Sequence, residues 1–251
     1  MNRRLERRVF LNEMMNYSQH CDKLFAAIVA SMIRRDYILR LIEEFAEALS
    51  RIRALKKDRQ FEQAAALTEE EFKRITGIDS ESLLKLTETE LLARLIETEP
   101  LHAVREKTFF LTTLLKEAGD IAAAEGRPDE SRTCYLKGLH LLLDSLARGD
   151  AFEQPEFVPK VDLFVAALED VPAQTRALLM EHYERTGQFG KAEDALFAIL
   201  EGDVDIDLAV NFGISFYERL LAQTDARLAD GNLPRIEVEA GLRELRERKK
   251  V

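Results

Sequence analysis

Apolar residues recur every three or four positions along most of the chain, which is the spacing of one face of an α-helix. The clearest stripe begins at Tyr37 and ends at Leu55, and it includes Phe45, Leu49 and Ile52. No segment alternates polar and apolar residues between turn signals, as a half-buried strand would. The chain is therefore predicted to be all-α.

Prolines, glycines and the ends of the apolar stripes divide the chain into ten predicted helices. They cover about residues 18–57, 60–75, 87–98, 101–125, 128–148, 157–169, 172–186, 189–201, 206–229 and 234–249. Gly126 can end one helix in the left-handed conformation and Pro128 can open the next, and Gly231 with Pro234 repeats that arrangement. The longest irregular stretch, residues 148–159, is the predicted mobile loop.

Charge limits the kinds of partner that the chain can bind. A net charge of −10 argues against nucleic acid, because binding to phosphates needs clustered lysines and arginines. The charge is uneven, since residues 1–57 carry 12 Lys and Arg against 7 Asp and Glu. This basic arm can contact an acidic partner, an anionic membrane or the acidic remainder of the chain.

Cysteine usage and hydropathy indicate where the protein resides. Two cysteines, Cys21 and Cys134, are too few for a disulfide framework and fit a reducing compartment. No apolar run approaches the roughly 20 residues that a membrane-spanning helix needs. The apolar run at residues 24–31 is followed at once by Arg34 and Arg35, which is unusual for an export signal. A cytoplasmic protein without a membrane span is expected.

One acidic segment resembles the start of a calcium-binding loop. Asp203, Asp205 and Asp207 have the required spacing, but such a loop needs glycine at its sixth position and glutamate at its twelfth. Those positions hold Leu208 and Ile214. An aspartate that caps the following helix is the preferred interpretation.

The chain shows no recognised catalytic or metal-binding motif. Its histidines are scattered, at His20, His102, His140 and His182, and they predict no metal site. The sequence signatures of serine hydrolases, phosphate-binding loops, dinucleotide-binding folds and zinc proteases are missing. The prediction is a protein that is not an enzyme and that holds no cofactor. An enzyme whose site is assembled from distant positions is an alternative.

A sequence pattern typical of two helices joined by a tight turn occurs at residues 183–196. Tyr183 lies one helical turn before Gly187, which breaks the helix. Phe189 follows at the corner, and the small side chain of Ala192 allows the two helix axes to approach closely. This is a two-helix unit that buries its apolar face by stacking on neighbours.

Two further segments repeat this sequence pattern. In residues 114–139 Gly119 provides a notch for close packing, Gly126 is the break, and Tyr135 is the large residue of the second helix. A weaker copy spans residues 54–67, with Phe61 and Ala64 at the corner.

Residues 112–145 and 173–204 resemble tetratricopeptide repeats, in which a Gly turn joins two helices that carry small and bulky residues at fixed positions. The match is degenerate, since Ala122 replaces a tyrosine and Met180 replaces the close-packing glycine. The resemblance implies stacked antiparallel helical hairpins that form an irregular α-α superhelix. The spacing of the two breaks implies that an extra helix, near residues 157–169, interrupts a regular array.

The ends of the chain, residues 32–52 and 216–247, resemble those of an uncharacterised bacterial family of tetratricopeptide-like proteins. Members of that family begin near the equivalent of Met32. The resemblance implies an N-terminal extension at residues 1–31, which a start codon assigned too far upstream would explain. It also implies a single tetratricopeptide-like α-helical domain at residues 32–251, and no known activity.

In tetratricopeptide repeats the first helix of each hairpin lines a concave groove. By this resemblance, the candidate groove residues of the chain are Lys116, Asp120, Gln174, Glu181, Glu184 and Arg185. Some tetratricopeptide grooves bind the C-terminal carboxylate of a peptide through two lysines, and this pair of lysines is not present at the corresponding positions. The resemblance implies a non-enzymatic interaction or scaffold module that binds a peptide or a partner helix. It is also compatible with a homo-oligomer. The alternative is a helical sensor that binds a small ligand between hairpins.

Overall fold

A computed structural model describes residues 35–98, 101–148, 154–202 and 205–249. All regular elements in these ranges are helices, which confirms the all-α prediction. They are α1 (residues 35–57), α2 (Phe61–Thr76), α3 (Ser80–Lys85), α4 (Glu88–Thr98), α5 (Leu101–Ala124), α6 (Pro128–Arg148), α7 (Val161–Ala166), α8 (Ala173–Arg185), α9 (Phe189–Leu200), α10 (Ile206–Leu221), α11 (Asp225–Asp230) and α12 (Arg235–Arg248).

Most of the long helices pair as antiparallel hairpins. Short turns at residues 58–60, 125–127 and 186–188 join α1 to α2, α5 to α6 and α8 to α9. So short a turn reverses the direction of the chain, and the partners pack side by side. α10 and α12 also pack against each other, with the short α11 between them in the sequence. The predicted antiparallel hairpins are therefore present.

The turns of the two predicted hairpin units are built in the same way. Gly126 and Gly187 have left-handed φ angles of 72° and 76°. The next backbone N–H, of Arg127 or Gln188, donates to the carbonyl oxygen five residues earlier, and both N···O distances are 2.8 Å. These bonds satisfy carbonyl groups that the end of a helix leaves unpaired. Both glycines therefore break the helix as predicted.

The turn between α11 and α12 corrects the prediction for Gly231. Its φ angle is −79°, and the left-handed residue is Asn232, with a φ of 58°. A Cβ atom at Gly231 would lie 2.5 Å from the carbonyl oxygen of Gly187 and 2.3 Å from the ring of Phe189. Glycine is needed here for close contact between two turns. Asparagine is among the few other residues that tolerate the left-handed conformation.

The predicted helix at 206–229 is in fact two helices. α10 ends at Leu221, and the side chain of Thr224 accepts a hydrogen bond from the backbone N–H of Arg227 to cap α11. Arg235 stabilises the break, because its guanidinium group donates to the carbonyl oxygen of Gln223 at 2.6 Å. A polar side chain distant in sequence thus replaces helical hydrogen bonds at this point.

Two smaller corrections concern short helices. The helix predicted at 157–169 is limited to Val161–Ala166. The sequence did not predict a helix at Ser80–Lys85, where the side chain of Asp79 accepts a hydrogen bond from the N–H of Ser82 at 2.7 Å. Each helix has only six residues, which are too few for apolar periodicity to define its bounds.

The α5–α6 hairpin contributes to both apolar clusters of the core, one towards each end of the described chain. Phe157, which lies in the predicted mobile loop, packs beside both clusters. Its ring lies 5.5 Å from that of Phe45 and 5.7 Å from that of Phe110. The end of this loop is therefore anchored in the core, whereas residues 149–153 lie outside the described residues.

Residues 1–31, predicted to be an N-terminal extension, also lie outside the described residues, and their status stays a prediction. The helices that the structure describes include none with the length and apolar character needed to cross a bilayer.

Substitution of Gly187 by valine should destabilise the α8–α9 hairpin by roughly 1–2 kcal/mol, because an L-residue is strained at positive φ. A Cβ atom at this position would meet nothing within 4 Å, so the expected loss comes from the backbone alone. Thermal unfolding measures the effect. The control is Gly187→Asn, which should lose less, and equal melting temperatures for the wild type and the valine variant would contradict the turn geometry.

Candidate functional site

A cleft of about 380 Å³ lies between α4, α6 and α8. Each helix contributes a leucine, namely Leu92, Leu143 and Leu178. Charged side chains from the same helices surround them: Glu88, Asp144, Arg148, Glu181 and Arg185. The volume lies within the range of about 300–1,000 Å³ that is usual for ligand sites. The cleft therefore combines apolar surface with a mixed-charge rim.

Three of the six nominated groove residues line this cleft. Gln174, Glu181 and Arg185 all lie on α8 and are exposed. Within the part of the chain that the structure describes, none of the three has a hydrogen-bond or ion-pair partner through its side chain. Their polar groups are therefore available to a ligand.

Two other nominated residues belong to an ion-pair network between α1 and α5. The ammonium group of Lys116 lies 2.6 Å from the carboxylate of Asp120. Lys56 bonds both Asp120 and the buried Glu117. Burial alone would raise the pKa of Asp120, but the hydrogen bonds from Lys116 and Lys56 lower it overall. The network joins neighbouring helices, and it leaves Asp120 paired internally.

The sixth nominated residue, Glu184, is also paired internally. The guanidinium group of Arg219 on α10 donates two hydrogen bonds to its carboxylate, each 2.7 Å long. This bidentate geometry is the strongest form of Arg–carboxylate contact. Glu184 thus links α8 to α10, and it does not line the cleft.

A line of polar contacts connects the three helices of the cleft. The imidazole of His140 on α6 lies 3.5 Å from the carboxylate of Glu88 on α4. Its other nitrogen, Nε2, lies 2.9 Å from the hydroxyl of Thr175 on α8. Lys137 adds a charge 3.7 Å from Glu88. Hydrogen bonding to His140 holds the pKa of Glu88 well below its usual range, at about 2.

These contacts have the connectivity of a nucleophile, a base and an orienting acid. However, only 1% of the surface of Thr175 is exposed, and Thr175 is not among the residues that line the cleft. A substrate in the cleft does not reach its hydroxyl group. The contacts therefore hold α4, α6 and α8 together instead of forming a nucleophilic triad.

Glu88→Gln should lower stability at neutral pH by about 1 kcal/mol, a value reduced for solvent screening because the side chain is one-third exposed. The folded-state pKa of about 2 lies below the unfolded value. The carboxylate therefore stabilises the fold above about pH 4.3, and this contribution is lost as the pH falls towards 2. Urea unfolding at several pH values should show the difference from wild type shrinking in acid. The exposed Glu97, also on α4, provides the control Glu97→Gln. A difference that is independent of pH would contradict the assignment.

His182 presents a further polar group next to the cleft. Its Nδ1 atom is buried and has no hydrogen-bond partner among the described residues. Burial, together with the nearby charge of Arg185, lowers the pKa of His182. The imidazole is therefore neutral at pH 7, and its buried Nδ1 atom is not exposed to the cleft.

A second cleft, also of about 380 Å³, lies between α2, α3, α5 and α6. Most of its lining is apolar, and includes Phe72, Leu84, Ala118 and Ile121. Cys134 lines it too, and burial raises the pKa of its thiol to about 12. The thiol stays protonated at neutral pH, so it is a poor nucleophile.

The acidic segment before α10 behaves as a helix cap, as preferred from the sequence. The carboxylate of Asp205 accepts hydrogen bonds from the N–H groups of Asp207 and Leu208, at 3.0 and 3.1 Å. Asp203 lies outside the described residues. Nowhere in the described ranges do three His, Cys, Asp or Glu side chains come together in a way that could hold a metal ion.

Sequence reasoning missed the contributions of α4 and α6 to the cleft. The tetratricopeptide analogy directs attention to first helices, whereas α6 is the second helix of its hairpin. A spacing signal was present, because His140, Asp144 and Arg148 recur every four residues and share one face of α6. The sequence contains no comparable signal that Glu88 lies opposite this face.

Residues 32–250 match the model of a protein family described as "Family of unknown function (DUF6483)". No curated protein and no solved structure matches the chain.

Proposed function

Because the chain belongs to the DUF6483 family, whose function is unknown, we propose a function from the site alone: a non-enzymatic module that binds an extended segment of a partner protein. The cleft between α4, α6 and α8 would hold that segment. The observation that carries the proposal is the free polar face of α8, where Gln174, Glu181 and Arg185 lie beside Leu178.

The dimensions of this face support a short extended ligand. Gln174 and Arg185 are eleven positions apart, which corresponds to roughly 16 Å along a helix. An extended chain covers that length in about five residues. The free polar groups of α8 suit an extended peptide, whose backbone N–H and C=O groups need partners, whereas a helix pairs its own backbone groups. We therefore prefer an extended peptide to a partner helix.

We also propose that the hairpins are related to tetratricopeptide repeats and form an irregular superhelix. The α1–α2 turn supports this proposal, since Arg59 has a left-handed φ of 58° and the N–H of Gln60 donates to the carbonyl of Leu55 at 2.9 Å. The α5–α6 and α8–α9 turns have the same arrangement. Each second helix then buries a small residue at its fourth position, namely Ala64, Ser131 or Ala192.

The second cleft favours another candidate function, a sensor for a small apolar ligand. Phe72, Leu84 and Ile121 line it, and its polar rim is paired internally, because Arg127 contacts both Glu125 and Glu130. Such a site suits an uncharged apolar molecule of modest size.

An array of acetylated five-residue peptides tests the peptide-binding proposal. Leucine would be kept at the first position, and alanine, lysine and glutamate varied at the others. Wild-type protein should bind a subset of the array, and Leu178→Asp should weaken that binding at least about tenfold by placing a charge on the apolar surface. Leu178 is 38% exposed, so the variant should still fold.

Leu163→Asp is the matched control, because Leu163 is 53% exposed on α7 and does not line the cleft. It should bind the same peptides as the wild type. Equal losses in both variants, or no binding by the wild-type protein, would contradict the proposal.

A further inference from the structure

Two charged side chains of the α4–α6–α8 cleft form no hydrogen bond and no ion pair within the described chain. They are the carboxylate of Glu181 and the guanidinium group of Arg185, which lie one helical turn apart. Opposite charges at this spacing often pair on a helix surface, yet these two do not. The other charges of the cleft are paired, since Asp144 contacts Arg148 at 2.8 Å and Glu88 contacts His140 and Lys137.

The free charges follow an apolar position in a fixed order along α8. Leu178, Glu181 and Arg185 are separated by three and four residues, or about 4.5 and 6 Å of helix. Every second side chain of an extended peptide points to the same side, at intervals of about 6.6 Å. Three alternate residues of a bound segment can therefore face these three side chains.

Charge complementarity then defines the segment. We infer that the cleft selects an extended peptide with an apolar residue, a basic residue two positions along and an acidic residue two positions further. The apolar side chain would lie against Leu178, the basic one against Glu181 and the acidic one against Arg185. This inference rests on the proposed function, and it adds the chemistry of the partner.

One further side chain of the cleft, that of Gln174, can hold the backbone of the segment. The peptide N–H and C=O groups of an extended chain need partners when they leave water. The side-chain amide of Gln174 is exposed in the cleft and forms no hydrogen bond within the described residues. It can donate to a backbone carbonyl and accept from a backbone N–H of the segment.

Two peptides of equal composition test the inference with the full-length protein. The probes are acetyl-Leu-Ala-Lys-Ala-Glu-amide and acetyl-Leu-Ala-Glu-Ala-Lys-amide, measured by titration calorimetry at low salt. The first should bind roughly tenfold more tightly, because its charges are complementary while those of the second face like charges. Added salt should reduce the difference.

A charge-exchanged protein provides the decisive control. In the double variant Glu181→Arg/Arg185→Glu the preference should reverse, so that the second peptide binds more tightly. Glu181 and Arg185 are exposed and unpaired, so the exchange should leave the melting temperature within about 2 °C of the wild type.

The outcomes separate the inference from the proposed function. If both peptides bind the wild type equally and the double variant changes nothing, the charge order is overturned and the peptide site stands. If neither peptide binds at millimolar concentration while the array also fails, both are overturned. A dimer that dissociates in Leu178→Asp would identify a second copy of the chain as the occupant, and this too would overturn the inference.

Discussion

Replacing Phe45 with alanine is expected to lower the free energy of unfolding by about 3–5 kcal/mol. Phe45 is fully buried, and its ring stacks on that of Phe110 with centroids 4.2 Å apart and an interplanar angle of 15°. Phe157 completes the aromatic group from the segment before α7. Removal of the ring therefore leaves a cavity where α1, α5 and this segment meet, and the neighbours have little freedom to fill it.

Urea unfolding followed by circular dichroism measures this loss. Leu39→Ala is the matched control, since Leu39 lies on the same helix but is 47% exposed. Its expected cost is below about 1 kcal/mol. Equal costs for the two variants would contradict the placement of α1 against α5.

Gly231→Ala is expected to cost about 2 kcal/mol or more, although alanine is normally the better residue for a helix end with ordinary φ. The reason is contact between turns. The new Cβ atom would lie 2.5 Å from the carbonyl oxygen of Gly187, which is backbone and cannot rotate away. The N–H of Gly190 donates to the carbonyl of Gly231 at 2.9 Å, so the two turns are also bonded to each other.

Differential scanning calorimetry of Gly231→Ala should show a lower melting temperature. The control is Asn232→Gly, which keeps the left-handed φ and adds no side chain, so its change should stay within about 1 kcal/mol. An alanine variant as stable as wild type would show that the turns are not in contact.

The helices and their hairpins could be predicted because local residues determine them. Gly126 and Gly187 end helices through their own backbone freedom, and the apolar periodicity of α1 is visible without any partner. The break at residues 222–224 could not be predicted, because Arg235 supports it from the start of α12. The role of Gly231 depends likewise on a turn more than forty residues away. Contacts between residues that are far apart in the sequence leave no local sequence pattern.

The cleft was predictable only in part for the same reason. The tetratricopeptide resemblance nominated Gln174, Glu181 and Arg185, so one wall could be predicted from the sequence. The same resemblance nominated Asp120 and Glu184, whose partners Lys56 and Arg219 lie on other helices and are visible only once the helices are packed. The walls formed by α4 and α6 depend on how the hairpins stack.

Nuclear magnetic resonance of leucine methyl groups gives the most direct test of the central claim, that an extended peptide binds between α4, α6 and α8. The protein would be titrated with acetyl-Leu-Ala-Lys-Ala-Glu-amide. The methyl signals of Leu92, Leu143 and Leu178 should shift, while that of Leu163 on α7 stays in place. Shifts at Leu84 in the second cleft, without any at Leu178, would contradict the claim.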